Sequence, residues 1–186
     1  MKGIIIFGTM GAGKDTLAGM LRERIFCSKI YKLGEDIRGL VDRAYPENVN
    51  RKLYQDYGQS TRQSLGIDVW NNVCKNKIDR DQAEYRLLFP IIADGRQLNE
   101  HEFWLKQGFY IVGITTPMYM RFGRLLKRDG SCDRERMFHE TELQAQFVAT
   151  QQADYEIDNG APLSAGDLKA AADRIAEIIK NNREVE

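Results

Sequence analysis

The amino-acid sequence predicts an α/β fold in which a parallel sheet of about five strands lies between two layers of helices. The first observation is the alternation of short apolar runs with longer amphipathic segments, which is typical of parallel sheets. The second is a glycine-rich loop between the first apolar run and the first amphipathic segment. The third is the size of 186 residues with 42% hydrophobic and 29% charged residues, which fits one domain over residues 1–186.

The elements follow one another with short connections. The predicted strands are residues 2–7, 29–33, 87–93, 109–115 and 155–157. The predicted helices are residues 15–26, 36–44, 51–64, 69–78, 98–107, 118–127, 140–152 and 165–180. Pro90 is expected at the beginning of its strand or at a bulge. The polar stretch 129–136 is expected to be mobile and to form part of a small lid over about residues 121–140.

The most specific motif follows the first predicted strand. Three glycines precede Lys14 with Walker A spacing, and a helix begins there, which is the context that this motif requires. In such a loop backbone N–H groups surround phosphate oxygens, the helix N-terminus adds positive charge, and the lysine reaches the β- and γ-phosphates. The motif therefore predicts a three-layer P-loop NTPase fold that binds ATP. The expected contacts are Gly8, Met10, Gly11, Ala12, Gly13, Lys14, Asp15 and Thr16.

One position departs from the usual motif. Asp15 stands where Ser or Thr normally follows the lysine, and the hydroxyl residue is Thr16. This shift resembles the nucleoside monophosphate kinases, and an aspartate at this place is often found in deoxynucleoside monophosphate kinases and phosphomevalonate kinases. The resemblance implies ATP-dependent phosphoryl transfer with Mg²⁺, which Thr16 would bind directly or through water.

A helical segment at about residues 34–80 extends the resemblance. A glycine, an acid and Arg38 have the spacing of adenylate kinase-like enzymes, which implies that Arg38 holds the acceptor phosphate. Residues 54–70 resemble the acceptor pocket of deoxynucleoside monophosphate kinases. There Arg62 would contact a phosphate or base, and Trp70 would stack on the base. A solvent-exposed Arg38 and a purely structural Trp70 are the alternatives.

The third predicted strand leads into Asp94, Gly95 and Arg96. Ligands bind at the carboxyl ends of the strands in such folds. Asp94 is expected to hold Mg²⁺ through water or to orient the acceptor. Monophosphate kinases have a similar Asp-x-Arg segment, which implies that Arg96 bridges the donor and acceptor phosphates. A simple turn after the strand is the alternative.

Two further segments resemble the donor side of these kinases. One helix face carries Arg121, Arg124 and Arg128, because these residues are three and four positions apart. The resemblance to the lid base implies that Arg124 and Arg128 act in catalysis, and a solvated basic face is the alternative. Asn159 lies in a stretch similar to a loop that contacts adenine in these kinases and in dephospho-coenzyme A kinases. It is also a common turn residue.

Composition narrows the function classes. The formal net charge is zero, whereas a general nucleic-acid binder would be more basic. No apolar stretch approaches the roughly 18 residues that span a bilayer, so neither nucleic acid nor membrane is an expected partner. The three cysteines lack metal or disulfide spacing, and a reducing cytoplasm is expected. We expect a kinase of small-molecule nucleotides, a monomer or homodimer, acting on a nucleoside monophosphate and foremost a deoxynucleotide. A dephospho-coenzyme A kinase, another small-molecule kinase and a regulatory ATPase module are the alternatives.

Overall fold

The computed structural model describes residues 1–47, 51–130, 137–160 and 164–183. Five strands form one sheet with the order β2-β3-β1-β4-β5, and all four pairings are parallel. The strands are β1 (Gly3–Phe7), β2 (Ser28–Tyr31), β3 (Phe89–Gly95), β4 (Phe109–Thr115) and β5 (Tyr155–Asp158). The predicted parallel sheet of about five strands is confirmed.

Eight helices lie within the described residues, and their bounds differ from the predicted ones by three residues or fewer, except that the fourth helix extends six residues beyond its predicted end. They are α1 (Lys14–Arg24), α2 (Glu35–Ala44), α3 (Arg51–Leu65), α4 (Val69–Glu84), α5 (Leu98–Lys106), α6 (Met118–Asp129), α7 (Glu140–Gln151) and α8 (Ser164–Arg183). None of them is long and apolar enough to cross a membrane. The predicted lid includes residues 131–136, which lie outside the described residues.

Helices cover both faces of the sheet because successive side chains of β1 alternate between two hydrophobic clusters. Ile4 and Ile6 pack in one cluster, to which α1 and α8 also contribute. Ile5 and Phe7 pack in the other, with side chains of α4, α5 and α7. Each of these four side chains is fully buried. The three-layer arrangement predicted from the sequence is confirmed.

A close approach between β4 and α7 fixes the position of that helix. An ideal Cβ built on Gly113 would lie 2.1 Å from the carbonyl oxygen of Ala149. Any side chain at residue 113 would therefore overlap the backbone of α7. The glycine lets the helix lie directly on the strand, which sets the distance of its polar residues from the P-loop.

The pairing of β1 with β3 is irregular next to the predicted site. Ile5 pairs with Ile92, but Phe7 pairs with Gly95, so β3 carries one extra residue between these two pairs. A bulge of this kind redirects a side chain at the end of a strand, and Asp94 lies within it. Pro90 is the second residue of β3, opposite Lys29, which confirms its predicted place at the beginning of the strand.

Candidate active site

The glycine-rich loop joins β1 to α1, as the motif predicts. Gly13 has a φ of 107° and immediately precedes α1, and this left-handed conformation favours glycine. A Cβ on Gly13 would lie 2.7 Å from Nδ2 of Asn159. Gly11 also has a positive φ, and a Cβ there would lie 3.1 Å from the backbone oxygen of Arg121. The loop therefore has its Walker A shape because glycines permit both its backbone angles and its close neighbours.

Lys14 is buried beneath this loop. Its Nζ donates hydrogen bonds to the carbonyl oxygens of Gly8 at 2.5 Å and Thr9 at 3.1 Å. Burial and the neighbouring Arg96 lower the pKa of Lys14 to about 8, although Glu142, Asp94 and Asp15 act in the opposite direction. The lysine is thus an ammonium group that has lost most of its water and is stabilised by loop carbonyls and nearby acids.

Two side chains hold the outer side of the loop. Nδ2 of Asn159 donates to the carbonyl of Ala12 at 2.8 Å, and Asn159 is buried. Nη1 of Arg124 donates to the carbonyl of Gly11 at 3.2 Å, and its Nη2 donates to the carbonyl of Asn159 at 3.3 Å. The contacts connect α6 and the end of β5 to the loop. The predicted roles of Arg124 in catalysis and of Asn159 in ATP binding stay predictions.

Glu142 connects the loop to Arg96. Its side chain is 2% exposed, although it is a carboxylate. Oε2 accepts the backbone N–H of Met10 at 2.5 Å, and Oε1 accepts a hydrogen bond from Nη1 of Arg96 at 2.7 Å. Glu142 has no role predicted from the sequence, and its position is a weak signal because acidic residues are common in the first turn of a helix.

Asp94 and Glu100 hold the loops on the other side of the site. The Asp94 carboxylate accepts the backbone N–H of Leu33 at 2.7 Å and of Gly34 at 3.1 Å, which ties the start of α2 to the end of β3. Oε2 of Glu100 accepts the backbone N–H of Arg96 at 2.7 Å. Burial raises the pKa of Glu100, although backbone N–H groups and a nearby arginine act against the shift.

A capping box was the available signal for Glu100, because Gln97 and Glu100 have the required spacing of three residues. At the start of α5, the Gln97 side chain accepts the backbone N–H of Glu100, and the Glu100 side chain accepts the backbone N–H of Gln97. This signal is weak, since serine or threonine is the usual first residue of a capping box.

The predicted acceptor residues lie on α2, α3 and α4. Arg38 is exposed, and its Nη1 lies 3.6 Å from the position that a Cβ on Gly34 would take, a point that is also 3.4 Å from Oδ2 of Asp94. Nη2 of Arg62 lies 3.8 Å from Oε1 of Glu100. Arg62 therefore lies near a carboxylate of α5, and Arg38 is on the exposed side of α2 close to Gly34. The role of both arginines in acceptor binding stays a prediction.

Trp70 lies between α3 and α4. The residue is 5% exposed, and its Nε1 donates to the carbonyl of Gly58 at 3.1 Å. The ring of Tyr57 is next to it, with 6.4 Å between the ring centroids. This burial gives Trp70 a structural role, and its stacking on a base stays a prediction.

The remaining predicted residues lie at the edges of the site. The Asp15 carboxylate forms an ion pair with Lys32 at 2.6 Å, and Thr16 is exposed on the first turn of α1. Arg128 is exposed and pairs with its neighbour Asp129 at 2.7 Å, which raises the pKa of the guanidinium. The catalytic role of Arg128 and the metal role of Thr16 stay predictions.

The donor atoms near the loop suit Mg²⁺ held mainly by water and phosphate. The described residues contain no group of three or more His, Cys, Asp or Glu side chains placed to hold a metal ion. Mg²⁺ in nucleotide sites keeps several waters and takes only one or two protein ligands besides the phosphates. The exposed Thr16 hydroxyl and the half-buried Asp94 carboxylate fit such a site.

A cavity of about 300 Å³ lies beside the loop. Thr9 lines it together with residues of the β4 to α6 connection and Gln146 and Thr150 of α7. Glu142, Gln146 and Thr150 are spaced by four residues, so one polar side of α7 faces the loop.

A Walker A loop at the carboxyl edge of a parallel sheet defines a P-loop nucleotide-binding protein. A family model described as AAA domain, AAA_18, matches residues 4–145. The match covers more than half of the chain, and the chain belongs to this family. No curated protein matches it.

Solved structures share the fold at low sequence identity. The shikimate kinase of Bacteroides thetaiotaomicron is 18% identical, with 95% of this chain and 97% of that chain covered and a TM-score of 0.54. The gluconokinase of Sinorhizobium meliloti is 12% identical, with 97% of this chain and 96% of that chain covered and a TM-score of 0.50. The tunicamycin resistance protein of Deinococcus radiodurans is 18% identical, with 95% of each chain covered and a TM-score of 0.58. These similarities show that the chain has the P-loop kinase-like fold.

Proposed function

We propose that this protein is an ATP-dependent kinase that transfers the γ-phosphoryl group of ATP to a nucleoside monophosphate, with a deoxynucleotide as the preferred acceptor. The observation that carries the proposal is the Glu142 bridge. This single carboxylate contacts both the ATP-binding loop and Arg96, the arginine next to the acceptor region. Arg96 is thus a cation next to both the ATP-binding loop and the predicted acceptor region. This position supports phosphoryl transfer between two bound phosphates rather than ATP binding alone.

The chemistry of such a transfer suits these side chains. The transferring phosphoryl group carries spread negative charge, so catalysis is mainly positioning and charge neutralisation. Lys14 would bind the β- and γ-phosphates, and Arg96 would contact the group in transit. When bound, Mg²⁺ would supply further neutralisation of the phosphate oxygens. An acceptor phosphate is already anionic, so no strong general base is needed.

The arginines of the acceptor side support an anionic acceptor. Arg38 and Arg62 lie on different helices, α2 and α3, and Arg62 is 3.8 Å from a carboxylate oxygen of Glu100. A guanidinium can bind a phosphate with two parallel hydrogen bonds. The resemblance of residues 54–70 to deoxynucleoside monophosphate kinases points to a deoxynucleotide.

A second candidate is a kinase that phosphorylates a hydroxyl group of a small acid or sugar. The names of two structures with this fold, a shikimate kinase and a gluconokinase, favour it. A hydroxyl acceptor must lose a proton, and the half-buried carboxylate of Asp94 at the end of β3 is the candidate proton acceptor. The expected monomer or homodimer state, the cytoplasmic location and the absence of nucleic-acid partners stay predictions.

An acceptor panel tests these functions. ADP release from ATP and Mg²⁺ is measured with ribo- and deoxynucleoside monophosphates, dephospho-coenzyme A, phosphomevalonate, shikimate and gluconate. The Lys14→Ala variant serves as the blank. Stimulation by one or a few monophosphates is the expected result. Stimulation by shikimate or gluconate alone would favour the second candidate, and a slow rate that no acceptor changes would contradict both and favour a regulatory ATPase.

A further inference from the structure

Glu142 is a buried carboxylate that takes no part in the bond changes of the proposed phosphoryl transfer. We propose that Glu142 is a positioning residue, which holds the Arg96 guanidinium and the Met10 amide in the alignment that phosphoryl transfer requires. This inference rests on the proposed kinase function, and it assigns a role to a residue outside the Walker A motif. Because Glu142 belongs to α7, the alignment depends on a helix outside both the P-loop and the acceptor segment.

The contacts require a carboxylate at this position. Glu142 uses one oxygen for the N–H of Met10 and the other for Nη1 of Arg96, and both partners are donors. Glutamine has only one oxygen, so its NH₂ group would face one of these donors. The matched substitution Glu142→Gln therefore keeps the volume of the side chain but breaks one of the two contacts.

Arg96 is held at two points and open on the rest of its surface. Its side chain is 32% exposed, whereas that of Glu142 is 2% exposed. Its backbone N–H is bound by Glu100, and its guanidinium is bound by Glu142. The exposed part of the guanidinium can still contact a substrate phosphate. Without Glu142 the long side chain would populate several rotamers, and fewer molecules would have Arg96 in the productive position.

Glu142 itself has little freedom. The close contact between Gly113 of β4 and Ala149 fixes α7 against the sheet. Glu142 lies in the first turn of this helix, where its carboxylate also meets the favourable end of the helix dipole. The geometry is therefore that of a rigid support for Arg96 and not that of an exposed side chain which makes an occasional ion pair.

The first test compares Glu142→Gln with Glu140→Gln. Glu140 is an exposed glutamate on the same helix, and its partner is the side chain of Gln144. For Glu142→Gln we expect kcat to fall by about 10–100-fold while the Kd for ATP changes by less than about threefold, because alignment and not ATP affinity is lost. Glu140→Gln should keep both values.

Two results would overturn the inference. Tighter ATP binding with an unchanged kcat in Glu142→Gln would mean that the carboxylate only occupies the loop until ATP displaces it. A lower melting temperature with a normal kcat per folded molecule would mean that Glu142 is only structural.

The second test asks whether Glu142 acts through Arg96. Interacting residues give non-additive effects in a double-mutant cycle. Arg96→Ala should be slow, and Arg96→Ala combined with Glu142→Gln should be no slower than Arg96→Ala alone. Losses that multiply would contradict a role through Arg96.

A measurement without acceptor separates this inference from the proposed function. The charge of Arg96 lowers the pKa of Lys14, whereas the charges of Glu142, Asp94 and Asp15 raise it. The pH at which ATP binding weakens should therefore be lower in Glu142→Gln than in the wild-type protein. An unchanged pH would mean that the charge of Glu142 does not act on Lys14, which would contradict its place between the P-loop and Arg96. A wild-type protein that transfers to no acceptor would instead contradict the proposed function, whatever the result at Glu142.

Discussion

The two sides of the candidate site are built in different ways. On the ATP side, the side chains of Lys14, Arg124 and Asn159 donate to main-chain carbonyls of the P-loop, and the principal contacts are 2.5 to 3.2 Å long. On the acceptor side, Arg38 is exposed, and Nη2 of Arg62 lies 3.8 Å from Oε1 of Glu100.

This difference explains what a motif can reveal. Contacts to the main chain depend on the shape of the loop, and glycine spacing encodes that shape. Contacts between long side chains on separate helices leave room for many ligands. The ATP side therefore defines the class of protein, whereas the acceptor side decides which molecule is phosphorylated. The predictions below test this division, from the largest expected effect to the smallest.

Lys14→Ala should cause the largest loss. We expect turnover to fall by about 10³-fold without loss of the fold, because a preorganised positive charge is removed from the transferring group. ADP release in the presence of the acceptor and a circular dichroism spectrum check this result. Lys29→Ala is the control, since Lys29 is an exposed lysine near the opposite end of the sheet that pairs with Asp81. A nearly normal rate in Lys14→Ala would contradict the P-loop assignment.

Arg38→Ala should affect the acceptor side alone. We expect the KM for the acceptor to rise by about 10–100-fold and the KM for ATP to stay constant, since uniform binding of one substrate is lost. Arg43→Ala is the control, because Arg43 is an exposed arginine of the same helix whose Nε donates to the carbonyl of Gly39. An equal rise in both KM values would show that the two sides are not separable.

ATP binding should weaken with rising pH. Lys14 must be charged to bind phosphate, and its proton is lost as the pH rises through the pKa of about 8. We expect the affinity for ATP to fall by about tenfold between about pH 7 and about pH 9, because a lowered pKa removes the cation within this range. Calorimetry in buffers of different ionisation enthalpy should detect proton uptake on binding at about pH 8. Binding without proton uptake would contradict the role of Lys14.

Trp70→Phe should have the smallest effect on the reaction. The variant keeps an aromatic ring but loses the hydrogen bond to Gly58, so we expect about 1–2 kcal/mol less free energy of unfolding. The KM for the acceptor should change by less than about twofold, since the ring is already buried. Trp104→Phe is the matched control, because Trp104 is 1% exposed and also donates through Nε1, to Asn71. A rise in KM for Trp70→Phe alone would support stacking on a base.

Much of the fold could be predicted from the sequence because local patterns encode it. The strands are short apolar runs, and the P-loop has its glycines at fixed positions. Residues 76–79, Asn-Lys-Ile-Asp, match the guanine-reading motif of GTPases letter for letter, but the polar pattern around them predicts a helix, and they lie within α4. The extra residue of β3 next to Asp94 has no comparable signal, since a bulge depends on the pairing of two strands.

The contacts of the site were harder to predict because they join distant residues. Glu142 binds the N–H of Met10 across 132 positions of the sequence, and its surroundings resemble any acidic helix start. Arg62 was identified, but its partner Glu100 was not. Charged side chains reveal their purpose only when the fold shows which other charges they face.

The packing of α7 on Gly113 makes a hydrogen atom the largest group that this position of the sheet accepts. A methyl group there would meet the Ala149 carbonyl at 2.1 Å, and the helix would have to move outward. The displacement would carry Glu142 away from Arg96 and Met10. In a random-mutagenesis screen for inactive enzyme, substitutions at residue 113 should therefore appear among the inactive variants, as substitutions of Lys14 do, although glycine has no functional group of its own.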